Sequence, residues 1–314
     1  MTRHLFGAVL TSNGTAANNR GENEGNITTL QKLLWQGELH TTVSAEAIRW
    51  AMRYYWQQRA KDEKDDLATN RCWDDNANAH TWRDENWQGW NSPDGRRFID
   101  DDVLGYMRAE AAKEEGSETE SEAKEAKGKG KKKPGTINNR RGVLELTRAV
   151  STTPFVGDLT FNSKSGSRSS TSLYATEVHA TRYQYGFALT PSRLHIASRA
   201  IHVLDAICNL GEVAGNHSRF LYDFSPESIV LRWTHDFAPR LLYCFDTPSA
   251  ETVDALKLLQ RVEAGDIDAK ELIIGGYLAN TETGTKLKQF GAETHSGVKV
   301  AVDAMIERLR GELL

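Results

Sequence analysis

Cysteine is scarce in this 314-residue chain. Cys72, Cys208 and Cys244 are far apart and odd in number, which excludes a complete disulfide framework and a CxxC zinc knuckle and suits a reducing, cytoplasmic setting. Long apolar runs are missing too: none approaches the ~18 residues of a membrane-spanning helix. The opening, MTRHLFGAVLTSNGT, is too briefly apolar for a signal peptide, lacks a small-residue cleavage site, and alternates like a strand. There is no basic excess. The net charge of −4 excludes a bulk coater of DNA but not a local basic groove, and copies in a shared assembly can divide phosphate contacts among themselves. Enzyme signatures are also absent: no GxxxxGK[ST], no GxGxxG after a strand, no HExxH, no GxSxG. His179 and His217 stand alone as ligands or bases, and a lone histidine is more often structural. No cofactor or metal site is expected.

What is present concentrates between Ala16 and Arg53, AANNRGENEGNITTLQKLLWQGELHTTVSAEAIRWAMR. Two polar, Gly-punctuated segments flank a short apolar run, a short strand or turn of helix over 27–35 that Gly37 breaks. Ser44 is a good N-cap and Glu46 sits in the first turn of a helix running to about Arg59. Ile48, Met52 and Tyr55 mark its buried stripe. Arg49 and Arg53, one turn apart, share another face with Trp56. In isolation such arginines read as an exposed charged face. With Asn18, Asn19, Arg20, Lys32 and Ser44 near them in sequence, they suit a phosphate backbone, and the free N–H groups at the helix start add to that attraction.

Residues 60–108 are polar, acidic and Trp-rich, with Trp73, Trp82, Trp87 and Trp90 inside eighteen positions. They read as an inserted subdomain with its own aromatic core, and Asp100–Asp102 as a solvated turn. Residues 109–136 are low-complexity. Seven Glu balance seven Lys over 110–133, and almost nothing there can be buried, so a disordered loop is expected. The main domain resumes near Arg140, with a strand at Val143–Val150. Leu159 and Phe161 start a strand that leads to a Ser/Gly-rich tip, Asn162–Ser172, carrying Lys164 and Arg168. Leu173–Leu189 reads as the returning strand of a long hairpin. The tip is either a mobile loop or, with Phe161 beside it, a wedge next to bases, where stacking contributes about 1–3 kcal/mol per base. A helix is expected over Ser192–Cys208 and strands at Phe220–Phe224, Ile229–Trp233 and Leu241–Phe245, with Pro226 in a turn. Helices at 249–262 and 297–312 flank an apolar run at Leu272–Leu278. GNHSR at 215–219 is a glycine turn whose N–H groups, with Asn216, His217 and Arg219, could hold a phosphate. The mixture implies an α+β fold with an antiparallel sheet, and no internal repeat is visible.

The order NNRGE, LQK, a glycine, then HTTVSAEAIRWAMR resembles the opening of the Cas-seven family, the backbone subunits of CRISPR Cascade complexes. RGVLELTRAVSTTPFVGDLTFN, LYATEVHATRYQYGFALTP and GNHSRFLYDFSPESIVLR look like its DevR branch, found in type I-B-like systems. The resemblance covers most of 3–245 and is loose over 60–136 and the C-terminal stretch. Gly21 before Glu22 departs from relatives that carry a second acid there. The resemblance implies an RRM-like (ferredoxin-like) palm from 1–59 and 137–314, an inserted finger at 60–136, and a β-hairpin thumb at about 157–186. It implies a non-enzymatic subunit that polymerises along CRISPR RNA and leaves the bases free to pair with target DNA. Its partners would be neighbouring copies and the Cas-five, Cas-six and large-subunit types, with no membrane. The gripping positions it implies are Asn19, Arg20, Lys32, Ser44, Arg49, Arg53, Lys164, Arg168, Asn216 and Arg219. Service in CRISPR-guided transposition stays open. Two alternatives remain: an RNA endonuclease as in type III relatives, for which Asp158 is the nearest carboxylate to the thumb tip, and a transcriptional regulator, which lacks a helix-turn-helix signature here.

Overall fold

The computed structural model describes residues 2–17, 23–84, 98–109, 137–164, 172–211, 213, 221–247 and 252–313. Their strands, in chain order, are β1 (His4–Thr11), β2 (Gly14–Ala17), β3 (Asn23–Glu24), β4 (Ile27–Thr28), β5 (Lys32–Trp35), β6 (Glu38–Val43), β7 (Arg71–Asp74), β8 (Ala79–Trp82), β9 (Gly105–Ala109), β10 (Ile137–Arg141), β11 (Glu145–Leu146), β12 (Ala149–Ser151), β13 (Leu159–Lys164), β14 (Ser172–Thr181), β15 (Tyr183–Leu189), β16 (Pro226–Thr234), β17 (Leu272–Gly276) and β18 (Glu293–His295). Their α-helices are α1 (Ala45–Arg59), α2 (Ile99–Val103), α3 (Arg199–Cys208), α4 (Leu256–Glu263), α5 (Glu282–Gln289) and α6 (Val298–Leu313).

The main sheet runs β18-β17-β16-β1-β15-β12-β6-β5, with β11 also on β15. Only the β17–β18 pair is parallel. Every residue of β1 is buried, because helices or loops cover both faces of this central strand. Its period of two feeds two cores. Leu5 and Val9 pack with Ile48, Met52, Trp56, Leu204 and Met305. Phe6, Ala8 and Leu10 pack with Leu241, Leu258, Leu272 and Leu287 on the other face. Gly7 lies between them because a Cβ there would sit 2.0 Å from the Phe187 ring. The chain passes through β1, α1, β12, β15, α3 and β16, and these strands lie in space as β16-β1-β15-β12, each neighbour antiparallel.

A second sheet, β13-β14-β4-β3 with β2 on β14, stands apart from the first. β7 pairs with β8 and β9 with β10 as separate ribbons.

Helix α1 begins where its sequence says. The Ser44 side chain accepts from Ala47 N at 3.2 Å, a cap that contributes about 0.5–2 kcal/mol. Its buried residues are Ile48, Ala51, Met52 and Trp56. Trp56 therefore belongs to the core rather than to an outer arginine face, and its Nε1–H donates to the His202 carbonyl at 3.1 Å. The 27–35 segment contains no helical turn; it holds β4 and the hairpin strand β5, which returns through Gly37 at φ +92°.

Elsewhere the structure corrects several expectations. The strand expected over Leu173–Leu189 breaks at Arg182, where the chain changes sheets: β14 joins the second, β15 the first. Arg182 is buried there and pairs with Glu227 at 2.6 Å. The helix expected from Ser192 starts at Arg199, because the N–H groups of His195 and Ile196 donate to the Asp102 carboxylate at 2.9 and 3.2 Å instead of opening a helix. The 221–224 stretch is not a strand. Tyr222 turns inward and bonds Thr11 Oγ1 at 2.7 Å, and β16 opens at Pro226. Leu241–Phe245 is irregular as well, with Tyr243 at φ +52° and its hydroxyl donating to the Arg148 carbonyl at 2.8 Å. The sheet ends beyond β17 in β18, which α5 precedes in the chain, and no sequence pattern marks either element.

The largest correction concerns Asp100–Asp102. These residues form α2, and all three are buried. Asp100 accepts from the backbone N–H of Asn70 at 2.7 Å and from Arg53 Nε at 3.2 Å. Asp101 accepts from Asn70 Nδ2 at 3.0 Å. Asp102 is bonded by Arg140 at 2.8 Å and by Arg199 at 3.0 Å, besides the two backbone donors. The acids are a core node that ties the insertion to α1 and α3. Residues 85–97, with Trp87 and Trp90, and the low-complexity 110–136 lie outside the described residues.

Candidate nucleic-acid interface

The first turns of α1 form one wall of a cavity of about 510 Å³. Ser44, Glu46, Ala47, Trp50 and Arg53 contribute from the helix, and Arg71, Trp73, Asn78 and His80 from the β7–β8 ribbon opposite. Ala16 and Ala17 at the end of β2, with Leu30, Gln31 and Thr42, close one side; Tyr183, Val213, Tyr222 and Phe224 form the floor. The floor is uncharged. Burial raises the Tyr183 phenol to about 12 and Tyr222 higher still, and each hydroxyl is held by a threonine, Thr41 at 2.8 Å and Thr11 at 2.7 Å.

The ribbon is fixed to the helix. Gln57 donates from Nε2 to the Trp73 carbonyl and accepts from the Trp73 N–H, both at 2.7 Å. The Tyr54 hydroxyl donates to Asp75 at 3.1 Å. Rings continue the link: Tyr54 stacks on Trp50 at 5.3 Å, Trp50 meets Trp73 edge-on at 6.0 Å, and Trp73 meets His80 at 4.9 Å.

The residues singled out in the sequence do not gather in one place. Ser44 and Arg53 line the cavity. Arg53 does so with its Nε engaged by Asp100 and its side chain 15% exposed. Arg49 turns away and donates to the Leu104 carbonyl; burial first, then the nearby Arg53 charge, lowers its pKa. The two arginines thus diverge instead of forming one paired face. Lys32 is held by Glu177 at 2.6 Å and lies 4.8 Å from the Phe155 ring centre. Phe161, on β13, is 77% exposed. Asn18, Asn19, Arg20, Arg168, Asn216, His217 and Arg219, and the Lys164 side chain, lie outside what the structure describes. The described residues flanking two of those segments, Ala17 on one and Val213 on the other, line the cavity.

Trp50, Arg71, Trp73 and His80 were missed as site residues. The Trp50–Tyr54 spacing of four was a legible signal for a stacked pair on one helix face; the approach of Trp73 and His80 was not. His179 is structural: buried, it bonds Thr41 Oγ1 at 2.8 Å and packs edge-on against Phe155. Asp158 is exposed. Among the described residues, no group of three or more His, Cys, Asp or Glu side chains could hold a metal, and no helix is long and apolar enough to cross a membrane.

No family model matches the chain. A curated relative, "CRISPR-associated protein Cas7/Cst2/DevR" of Myxococcus xanthus (strain DK1622), is 46% identical over 321 residues, spanning 98% of both chains. Two solved structures share the fold. A chain of a "CRISPR RNA-guided surveillance complex" superposes with TM-score 0.52 at 11% identity, over 96% of this chain and 99% of that one. A chain of such a complex described as pre-nicking gives 0.55 at 10% identity, over 98% and 100%.

Proposed function

Because the chain belongs to the CRISPR-associated Cas7/Cst2/DevR family, we propose that it is a backbone subunit of a type I Cascade-like effector, binding CRISPR RNA without a catalytic step of its own. The observation that carries this is the cavity between α1 and the β7–β8 ribbon, whose lining includes Ala17 and Val213, the described residues next in sequence to 18–22 and 214–220. Asn18, Asn19, Arg20, Asn216, His217 and Arg219 would hold sugar-phosphate along that border, and Lys164 and Arg168 would do so from a thumb built on β13 and β14. Contacts of this kind go to the backbone and ignore sequence, so the bases stay available to target DNA.

Several features support an RRM-like palm. The β-α-β-β-α-β succession with the spatial order β16-β1-β15-β12 matches what a ferredoxin-like sheet would have, and residues 60–136, between α1 and β11 in sequence, would be the inserted finger. Neighbouring copies and Cas-five, Cas-six and large-subunit types would complete the assembly in the cytoplasm, in defence against foreign DNA or in guided transposition.

Purifying the chain after co-expression with a CRISPR array and sequencing the retained RNA tests this. Short, uniform, repeat-derived RNA is expected. Protein free of RNA, or carrying random transcript fragments, would overturn the proposal.

A further inference from the structure

We infer that Trp50 and Trp73 form a stacking site for one unpaired base of the bound RNA strand; the inference rests on the proposed function and assigns the contents of its groove. Both rings line the 510 Å³ cavity and neither is fully buried. Their planes meet at 77°, so a base lying flat on one ring presents its edge to the other. Tyr54, 7° from coplanar with Trp50, backs that ring, and His80 braces Trp73. Gln57 clamps the Trp73 backbone from both sides, so the corner exists before any ligand arrives and little ordering opposes binding. Arg71 lies on the same ribbon as Trp73, and Arg53 lines the opposite wall with its Nε paired to Asp100.

This chemistry takes a flat, electron-rich heterocycle attached to an anionic backbone. It does not choose among bases, since each has a π-face and stacking is sequence-tolerant. The strand would therefore be gripped at one base as well as along its phosphates, and that base would be withdrawn from pairing.

The test measures binding of full-length protein to a single-stranded RNA and to the same ribose-phosphate chain without bases. Trp73→Ala and Trp50→Ala should each weaken RNA binding about 5- to 150-fold, Trp73→Phe should restore most of the loss, and the salt slope should stay unchanged because no phosphate contact is touched. On the abasic chain the alanine variants should match wild type. Circular dichroism establishes that each variant is folded; Trp73, on an outer ribbon, is the safer substitution. Folded alanine variants that bind RNA as wild type does would overturn the stacking site and leave the proposed function standing. Wild-type protein that binds neither chain would remove the proposed function and the stacking site with it.

Discussion

Replacing Asp102 with Ala isolates the buried node. Its carboxylate is fully buried and receives four donors: Arg140 at 2.8 Å, Arg199 at 3.0 Å, and the N–H groups of His195 and Ile196 at 2.9 and 3.2 Å. Alanine leaves the Arg199 guanidinium, itself 3% exposed, without this counter-charge. Breaking one side of a buried pair costs about 3–5 kcal/mol. With an unfolding entropy of about 2.1 cal/mol/K per residue, a chain of this length should lose roughly 5–8 °C in Tm. Thermal and urea melts followed by far-UV circular dichroism measure this. The double variant Asp102→Leu with Arg199→Leu should lose less than the sum of the two singles, because the stranded charge is removed with its partner. If Asp102→Ala melts within a degree of wild type, the carboxylate is not a buried hub.

Burial and the adjacent Asp100 charge push the Asp101 carboxyl up to about 8, with Asn70 and Arg53 opposing and Asp84 adding to the rise. The folded state thus keeps a proton that the unfolded chain releases, so this group's stabilisation is full below the usual carboxylate range and falls as pH rises towards 8; Asp101→Asn should flatten that decline in urea melts taken across pH 5–9. Glu177→Gln should destabilise by about 1–3 kcal/mol, because Glu177 accepts from Lys32 and from Leu30 N–H, both at 2.6 Å; faster amide exchange in β5 should report it. Gln57→Ala should weaken RNA binding although Gln57 does not line the cavity, since it removes both bonds that position Trp73; unchanged affinity would show that the ribbon needs no clamp.

The parts legible in the sequence were those set by local chemistry. β1 announces itself by alternation, α1 by the Ser44 cap and its apolar stripe, the β13–β14 hairpin by polar punctuation, and α6 by periodicity. The parts that were not legible depend on partners far along the chain. Asp100–Asp102 has the composition of a solvated turn, and only the arrival of Arg53, Arg140 and Arg199 makes burial tolerable. One of these acids, Asp102, also delays α3 by capturing the N–H groups of His195 and Ile196. The site was half visible. Ser44 and Arg53 line the cavity, but four-residue spacing says nothing about where a long side chain ends. Arg49 ends on the Leu104 carbonyl and Arg53 on Asp100.

That divergence changes what net charge means in this protein. Arg53, Arg140, Arg182, Arg199 and Arg232 each pair with a carboxylate at 2.6 to 3.2 Å, so these cations hold the fold together and contribute little field at the surface. Of the acids that balance them, Asp100 and Asp102 are buried and Glu227 and Glu271 half-buried. A chain with a net charge of −4 can therefore still present a groove that accepts an anionic strand, because the opposing charges cancel inside. α1 makes this arrangement possible. One stripe, Ile48, Met52 and Trp56, fixes the helix to the sheet. Arg53 ties it to the acidic node, while Tyr54 and Gln57 tie it to the outer ribbon. Ser44 and Trp50 are left to face the groove. A wall anchored on three sides is ordered before any ligand enters the groove, so little ordering would oppose binding there.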